Sequence, residues 1–325
     1  MLNSRILITG GTGSWGQTLT KVLLEKYAPK EIIIFSRGEL AQVLMQRKFN
    51  DNRIKYVIGD VRDYEALYRA TKNIDYIFHL AALKHVPVCE NYPQEAIKTN
   101  VEGTNNIVNA AIINEVKKVI DVSTDKAVDP INTYGITKAL GEKIIINANK
   151  LSDLTKFVCI RGGNVMGSKG SVIPLFIDQL KNAPAISITD LKMTRFFLTL
   201  NEAIYLLLKA AFNSFGEEIF VMNMPSCYIK DIAFVLMEKY GKKQIIEIGI
   251  RPGEKLNEIL ISENESKLTY EYGKNYWVIL PIDTSEKLFN HYKNNNKFPF
   301  NKFSSEKNII NNNEIKKMLV KGNFL

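Results

Sequence analysis

The chain has 325 residues, 46% of them hydrophobic and 24% charged, with a formal net charge of +9. That length can bury more than a minimal nucleotide-binding domain, the composition excludes a disordered chain, and no apolar run approaches the ~20 residues of a membrane span. The basic residues are spread along the chain and thicken only at Lys287–Lys302 among asparagines, with no helix-turn-helix, zinc-finger or RNA-binding signature, so the charge reads as attraction for anionic nucleotide substrates and no nucleic-acid partner is expected.

Met1–Arg5 runs straight into an apolar strand, so no signal peptide is expected. Arg5–Thr9 is that strand. It is followed by Thr9-Gly10-Gly11-Thr12-Gly13-Ser14-Trp15-Gly16, a T-G-x-x-G-x-x-G turn, and then by a helix from about Gln17 to Tyr27. Gly10 allows the tight turn, Gly13 lets backbone N–H groups approach a pyrophosphate, and Gly16 lets the helix pack close to the strand. The helix N-terminus adds partial positive charge, so Gly10, Thr12, Gly13, Ser14, Trp15 and Gly16 are expected to bind a dinucleotide.

Glu31–Phe35 is the second strand, and Ser36-Arg37-Gly38-Glu39 follows it. Ser36 and Arg37 offer a hydroxyl and a guanidinium to a ribose 2′-phosphate, which favours NADP over NAD; Glu39 would meet the ribose only if the backbone shifted. Ile54–Ile58, the third strand, leads to Asp60-Val61 at the expected adenine edge. Tyr76–Leu80, the fourth, leads to Ala81-Ala82, small enough for the cofactor to lie across.

Lys118–Val122 is the fifth strand, and the densest chemistry follows it: Ser123-Thr124-Asp125-Lys126, then Tyr134-Gly135-Ile136-Thr137-Lys138. On a helix Tyr134 and Lys138 share a face. A nearby ammonium lowers a phenol pKa and reaches the cofactor ribose, so Tyr134 is the expected general base for oxidising a substrate hydroxyl. Asp125 and Lys126 exceed what alcohol oxidation needs. They suit an elimination in which Asp125 protonates the departing C6 hydroxyl of a 4-keto sugar and Lys126, if burial lowers its pKa, takes the C5 proton; a strand-end ion pair is the plain alternative.

Phe157–Ile160 is the sixth strand. Apolar runs separated by helices give a Rossmann-like, doubly wound parallel α/β domain over 1–165. Over 166–325 the pattern loosens into a smaller C-terminal α/β substrate lobe. Helices are expected at Ile173–Leu180, Glu202–Ala211, Ile229–Tyr240 and Glu314–Leu319, with an extended piece at Ile245–Ile248. No linker separates the parts, so segments of the second half are expected to return to the sheet. Cys89, Cys159 and Cys227 lack metal-ligand spacing and read as thiols in a reducing cytoplasm, with no metal site.

Ile8–Gly16, Gly59–Asp63, Ala81–Pro87, Lys98–Asn100, Ser123–Lys138, Gly163–Ser168, Gly170–Pro174, Met193–Phe196 and Ile250–Lys255 carry a resemblance over nearly the whole chain. It resembles the extended short-chain dehydrogenase/reductases (extended SDR) and, within them, the inverting UDP-N-acetylglucosamine 4,6-dehydratases of pseudaminic acid biosynthesis, in the polysaccharide biosynthesis protein family. Thr124-Asp125-Lys126 sets the subfamily, since C5-retaining relatives typically read Thr-Asp-Glu. The resemblance implies that Thr124 and Tyr134, with Lys138, manage the C4 hydroxyl and that Asp125 and Lys126 manage elimination. Hydride then returns to C6, so the NADP (NAD as second choice) stays tightly bound and is regenerated.

The same resemblance places Lys84, Thr99, Asn100 and Asn164 around the sugar, with Lys84 and Val165 also beside the cofactor. Ser168, Gly170, Ser171, Val172, Ile173, Arg195, Arg251 and Glu254 are implied to hold the UDP. It implies a homo-oligomer, a hexamer in the family. The chain departs from the family at Gly162, where a Tyr is usual, and at Gly38, where an acid is usual. A UDP-sugar 4-epimerase, or a dehydratase of another nucleotide sugar, is the alternative; an epimerase shares the glycine turn and the Tyr134/Lys138 pair but has no need of Asp125 and Lys126.

Overall fold

The computed structural model describes residues 1–167 and 170–325. Side-chain alternation builds its central sheet. In β1 (Arg5–Thr9), Ile6 and Ile8 enter one buried cluster and Leu7 the cluster on the opposite face. The pattern repeats in β4 (below) as Phe78 against Ile77, and in later strands as Ile120 against Val119 and Val158 against Phe157. The first six strands are β1, β2 (Glu31–Ser36), β3 (Ile54–Ile58), β4 (Tyr76–His79), β5 (Lys118–Thr124) and β6 (Lys156–Gly162). Then come β7 (Asn164–Val165), β8 (Ala185–Ile188), β9 (Thr194–Leu198), β10 (Ile219–Met222) and β11 (Ser226–Tyr228). The remainder are β12 (Gln244–Glu247), β13 (Ile259–Ile261), β14 (Thr269–Glu271), β15 (Tyr276–Ile279) and β16 (Phe303–Ser304).

Among the described residues the main sheet has nine strands in the order β14-β15-β10-β6-β5-β4-β1-β2-β3. From β10 through β3 neighbouring strands run parallel. The strand order reverses between β1 and β4, and a crevice opens at the carboxyl ends of strands around such a reversal. Leu19 and Leu23 of the helix Ser14–Lys26, with Leu206 and Leu207 of Leu200–Asn213, cover one face of the sheet. Leu67, Ile107 and Ile145, from Tyr64–Ala70, Gly103–Ile113 and Thr133–Asn147, cover the other.

The strands of the first 165 residues are parallel as expected, and the sheet turns antiparallel only at the edge added by the second half, where β15 is antiparallel to both β10 and β14. Only four residues, 272–275, join β14 to β15, enough for a hairpin and too few for a parallel crossover. β10, β14 and β15 all lie beyond residue 165, so the second half of the chain extends the first half's sheet. A separate core, including Ile173, Phe176, Ile186, Phe197, Leu236 and Leu319, holds the lobe of helices Val172–Asn182, Ile229–Tyr240 and Asn312–Lys321 together. The first helix begins at Ser14, three residues before the expected Gln17, because Gly13 in extended conformation already serves as its N-cap.

Candidate active site

Between the carboxyl ends of the strands and the lobe lies a cavity of about 910 Å³. Its floor is the β1 turn. Gly10 has φ +64°, and a Cβ there would fall 2.9 Å from the Ala81 Cα, so the turn can lie against the end of β4 only with glycine. The helix it starts has neither a side-chain cap nor an acid in its first turn, which leaves N–H donors free for an anion. Thr12, Gly13, Ser14, Trp15, Ala81, Ala82, Lys84 and Val165 line the cavity with Gly10. Gly16 does not. A Cβ at that position would sit 2.3 Å from the Gly11 carbonyl oxygen, so this glycine serves helix packing, and its expected place among the cofactor contacts is corrected.

At the end of β2, Ser36, Arg37 and Gly38 line the cavity, as do Asp60 and Val61 after β3. The Asp60 carboxylate is occupied: it accepts from the Arg62 backbone N–H at 3.0 Å and from Arg62 Nε at 2.8 Å. Although burial opposes it, these bonds and the Arg62 and Arg37 charges hold Asp60 below the usual carboxylate pKa. Arg37 is more than half exposed, and its nearest carboxylate contact is 3.9 Å away at Asp60. Glu39 starts the helix Glu39–Phe49, exposed and outside the cavity lining.

Residues that fit a dinucleotide are therefore present: a cradle that side chains would fill, an uncapped helix N-terminus and an exposed guanidinium at the far end. Further polar atoms await partners. Among the described residues, the buried hydroxyls of Thr99, Ser123 and Ser171 have no hydrogen-bond partner, and all three residues line the cavity. Thr99 lies on a π-helical turn, Lys98–Glu102, an irregularity found disproportionately at functional sites.

The reactive cluster is assembled by β5 and the helix Thr133–Asn147. Asn132 caps that helix by accepting from the Gly135 N–H at 2.7 Å. A Cβ on Gly135 would lie 2.2 Å from the Lys126 carbonyl oxygen, so the helix start is pressed directly onto the Thr124–Lys126 segment. Thr124, Lys126 and Tyr134 all line the cavity. Thr124 Oγ1 donates to Asp125 Oδ1 at 3.0 Å, and Lys126 Nζ donates to the same oxygen at 2.9 Å. Asn164 Oδ1 lies 3.5 Å from Lys126 Nζ, and Asp125 Oδ2 has no partner among the described residues.

Burial raises the Tyr134 phenol above its ordinary value; Lys138, Lys126 and the Thr124 hydroxyl pull it back without reversing the shift, which corrects the expectation of a lowered pKa. Lys138 is itself buried, with Asp121 Oδ2 at 3.2 Å, and lies beneath the cavity wall. Burial lowers its ammonium pKa, but Asp121 and Tyr134 outweigh that and leave it raised. Burial also raises the Asp125 carboxyl against the opposing Lys126 charge, the direction an acid needs. For Lys126 the expectation fails. Burial favours the neutral amine, but Asp125 and Glu258 together outweigh it, and the resting group is a firmly held ammonium.

Other expected residues divide clearly. Asn164, Gly170, Val172, Ile173, Arg251 and Glu254 line the cavity with Lys84, Thr99 and Ser171. Partial burial lowers the Lys84 ammonium pKa although much of the side chain is exposed. Ser168 lies outside the described residues. Asn100 is corrected: its amide is consumed by the Leu83 N–H (2.8 Å), the Leu83 carbonyl (2.9 Å) and the Thr137 hydroxyl (3.0 Å), so it braces the Lys84 loop behind the cavity wall. Arg195 reaches the cavity, but its guanidinium donates to the carbonyls of Thr194 (2.7 Å), Leu256 (3.0 Å) and Lys255 (2.9 Å). Sequence reasoning missed two buried carboxylates. Asp121 was hidden in an apolar strand, and Glu258 stands 132 positions after the lysine it contacts.

The family described as "Polysaccharide biosynthesis protein" matches residues 6–280. "UDP-N-acetylglucosamine 4,6-dehydratase (inverting)" of Campylobacter jejuni subsp. jejuni serotype O:23/36 (strain 81-176) is 47% identical, covering 86% of this chain and 84% of its own. "UDP-glucose 4-epimerase" of Rickettsia bellii (strain OSU 85-389) is 45% identical, covering 87% of this chain and 84% of its own. The X-ray structure of Pen from Bacillus thuringiensis superposes with a TM-score of 0.92 at 40% identity, covering 100% of this chain and 99% of that one.

Proposed function

The chain belongs to the polysaccharide biosynthesis protein family, as an extended short-chain dehydrogenase/reductase, and from that membership we propose that it is a C5-inverting UDP-N-acetylglucosamine 4,6-dehydratase. Its product would be UDP-2-acetamido-2,6-dideoxy-β-L-arabino-hex-4-ulose. Relatives named dehydratase and epimerase are almost equally identical, so the choice rests on chemistry. The observation that carries it is the Asp125–Lys126 pair, 2.9 Å apart beside Thr124 and Tyr134, with Asp125 buried and Lys126 facing the cavity.

We assign the cofactor cleft to Gly10–Trp15, Arg37, Val61, Ala81 and Ala82, and favour NADP because Arg37 is exposed while the Asp60 carboxylate is engaged by Arg62. Bound there, the nicotinamide would supply the acceptor for the C4 hydride and its donor to C6. Thr124 and Tyr134 hold the C4 hydroxyl, and Tyr134 removes its proton with Lys138 and Lys126 stabilising the phenolate. For elimination the pair must present an acid and a base together. Moving one proton from Lys126 Nζ to Asp125 Oδ1 along their hydrogen bond gives that state, and the burial of Asp125 lowers its cost because the transfer neutralises a charge pair at a largely buried site. Neutral Lys126 then takes the C5 proton, and protonated Asp125 gives its proton to the departing C6 hydroxyl, which leaves as water.

Thr99, Ser171, Arg251 and Glu254 are assigned to the UDP-sugar, with the division between cofactor domain and substrate lobe near residue 165. By the same family resemblance we infer a cytoplasmic homo-oligomer acting in pseudaminic-acid-type synthesis. The test is incubation with UDP-N-acetylglucosamine in D₂O without added NADPH. Loss of water with one deuterium at C5 is the expected result; a product of unchanged mass epimerised at C4 would establish the epimerase instead.

A further inference from the structure

Glu258 plays no part in the steps above, yet it is 2% exposed and carries a full carboxylate into the reactive cluster. It directly precedes β13, and both of its backbone polar groups are bonded to Ser305. Its N–H donates to Ser305 Oγ at 3.0 Å, and its carbonyl accepts from the Ser305 N–H at 2.9 Å. β13 is in turn tied to β6, because Arg161 donates to the Leu260 carbonyl at 3.0 Å. The side chain so placed has Oε1 3.3 Å from Lys126 Nζ and 3.7 Å from Arg195 Nε. Oε2 has no hydrogen-bond partner among the described residues.

A buried carboxylate is costly to keep, and a fold retains one in so rigid a setting where its charge has a use. On the dehydratase reading, we propose that Glu258 is the positioning residue of the elimination base: it fixes Lys126 Nζ against Asp125 and stabilises the ammonium that forms as the C5 proton arrives. This is the relation of the third member of a hydrolase triad to its histidine. The charged groups around it are Asp125 and Lys126 from the turn after β5, Arg195 from β9 and Lys255 on its own segment. Although burial opposes it, the charges of Lys126, Arg195 and Lys255 hold Glu258 below the usual carboxylate pKa, and Arg195 and Lys255 stay beside it while Lys126 is neutral. The C5 proton ends on Lys126, its electron pair forms the C5–C6 double bond, the C6–O bond breaks, and the Asp125 proton leaves in water.

Glu258→Gln removes the charge and preserves the shape. The expected result is a kcat for dehydration lowered about 10²-fold with KM little changed. Without the carboxylate Lys126 loses its proton more easily, so the alkaline limb of the kcat profile moves to lower pH. Glu258→Asp keeps the charge but withdraws it, and should lower kcat about tenfold while moving that limb less. Wild-type kcat and an unmoved limb in Glu258→Gln would overturn the proposal, as would a kcat loss that only follows a lower melting temperature. Should the Gln variant not fold, wild-type kcat in Glu258→Asp overturns it. If the wild-type protein itself releases no water, the dehydratase reading fails instead.

Discussion

Lys126 stands between two buried carboxylates, 2.9 Å from one and 3.3 Å from the other, and both depend on its charge. Lys126→Met keeps the length of the side chain and removes its nitrogen. On the proposed mechanism dehydration should fall at least about 10³-fold, because the C5 proton would lose its acceptor, while dinucleotide affinity changes little because the turn at Gly10–Trp15 is separate. Product mass spectrometry and cofactor titration check the two halves. Retained dehydration would remove Lys126 from the elimination. The residue types of this cluster were legible in the sequence, because Thr124-Asp125-Lys126 and Tyr134/Lys138 are local patterns. Their protonation states were not: burial at Lys126 is outweighed by Asp125 together with a second carboxylate that comes from residue 258.

At the scale of elements, the reactive geometry depends on how the helix Thr133–Asn147 seats on the end of β5. Its contact point is Gly135, where a Cβ would lie 2.2 Å from the Lys126 carbonyl oxygen. Backbone cannot yield there as a flexible side chain would. Gly135→Ala should therefore cost about 1–3 kcal/mol of stability and should also lower kcat, because relief comes only by moving Tyr134 away from Thr124 and Lys126. Urea unfolding and steady-state rates measure the two effects. A variant with wild-type stability would show that the contact is slack. Apolar runs and the glycine turn made the parallel core readable in chain order. The role of Asn100 was not readable, because a buried amide that completes its bonds with Leu83 and Thr137 has the same sequence signature as one facing a substrate.

Across the whole molecule, the cavity exists because segments of the second half dock on the first half's sheet. Arg161 of β6 joins two of them to the helix Thr133–Asn147: it donates to Glu142 on that helix at 2.7 and 2.8 Å, to Glu265 at 2.7 and 3.0 Å, and to the Leu260 carbonyl. Arg161→Met should destabilise the protein by about 3–5 kcal/mol, because it strands carboxylates in the interior. Although burial opposes it, Arg161 holds the Glu265 pKa down, at about 2. A carboxylate depressed in the folded state contributes stability that is fully present above its unfolded pKa and is lost as pH falls toward the folded value. Wild-type stability should thus drop between about pH 4.5 and pH 2, and the Arg161→Met variant should show less of that drop in acid-titrated melts. An equal acid dependence in both would place the interaction elsewhere.

The sequence by itself determined the apolar strand runs, the glycine turn, the succession of β1 to β6 along the chain and the Thr124–Lys138 cluster, since each is a pattern within a few neighbouring residues. Tertiary structure alone decided that β15 joins the sheet antiparallel, that Arg195 spends its donors on backbone carbonyls, and that Glu258 joins Asp125 in holding the charge of Lys126. Those outcomes depend on groups brought together from distant parts of the chain and on the loss of water around them, and neither distance in space nor solvent exclusion is written in local residue order.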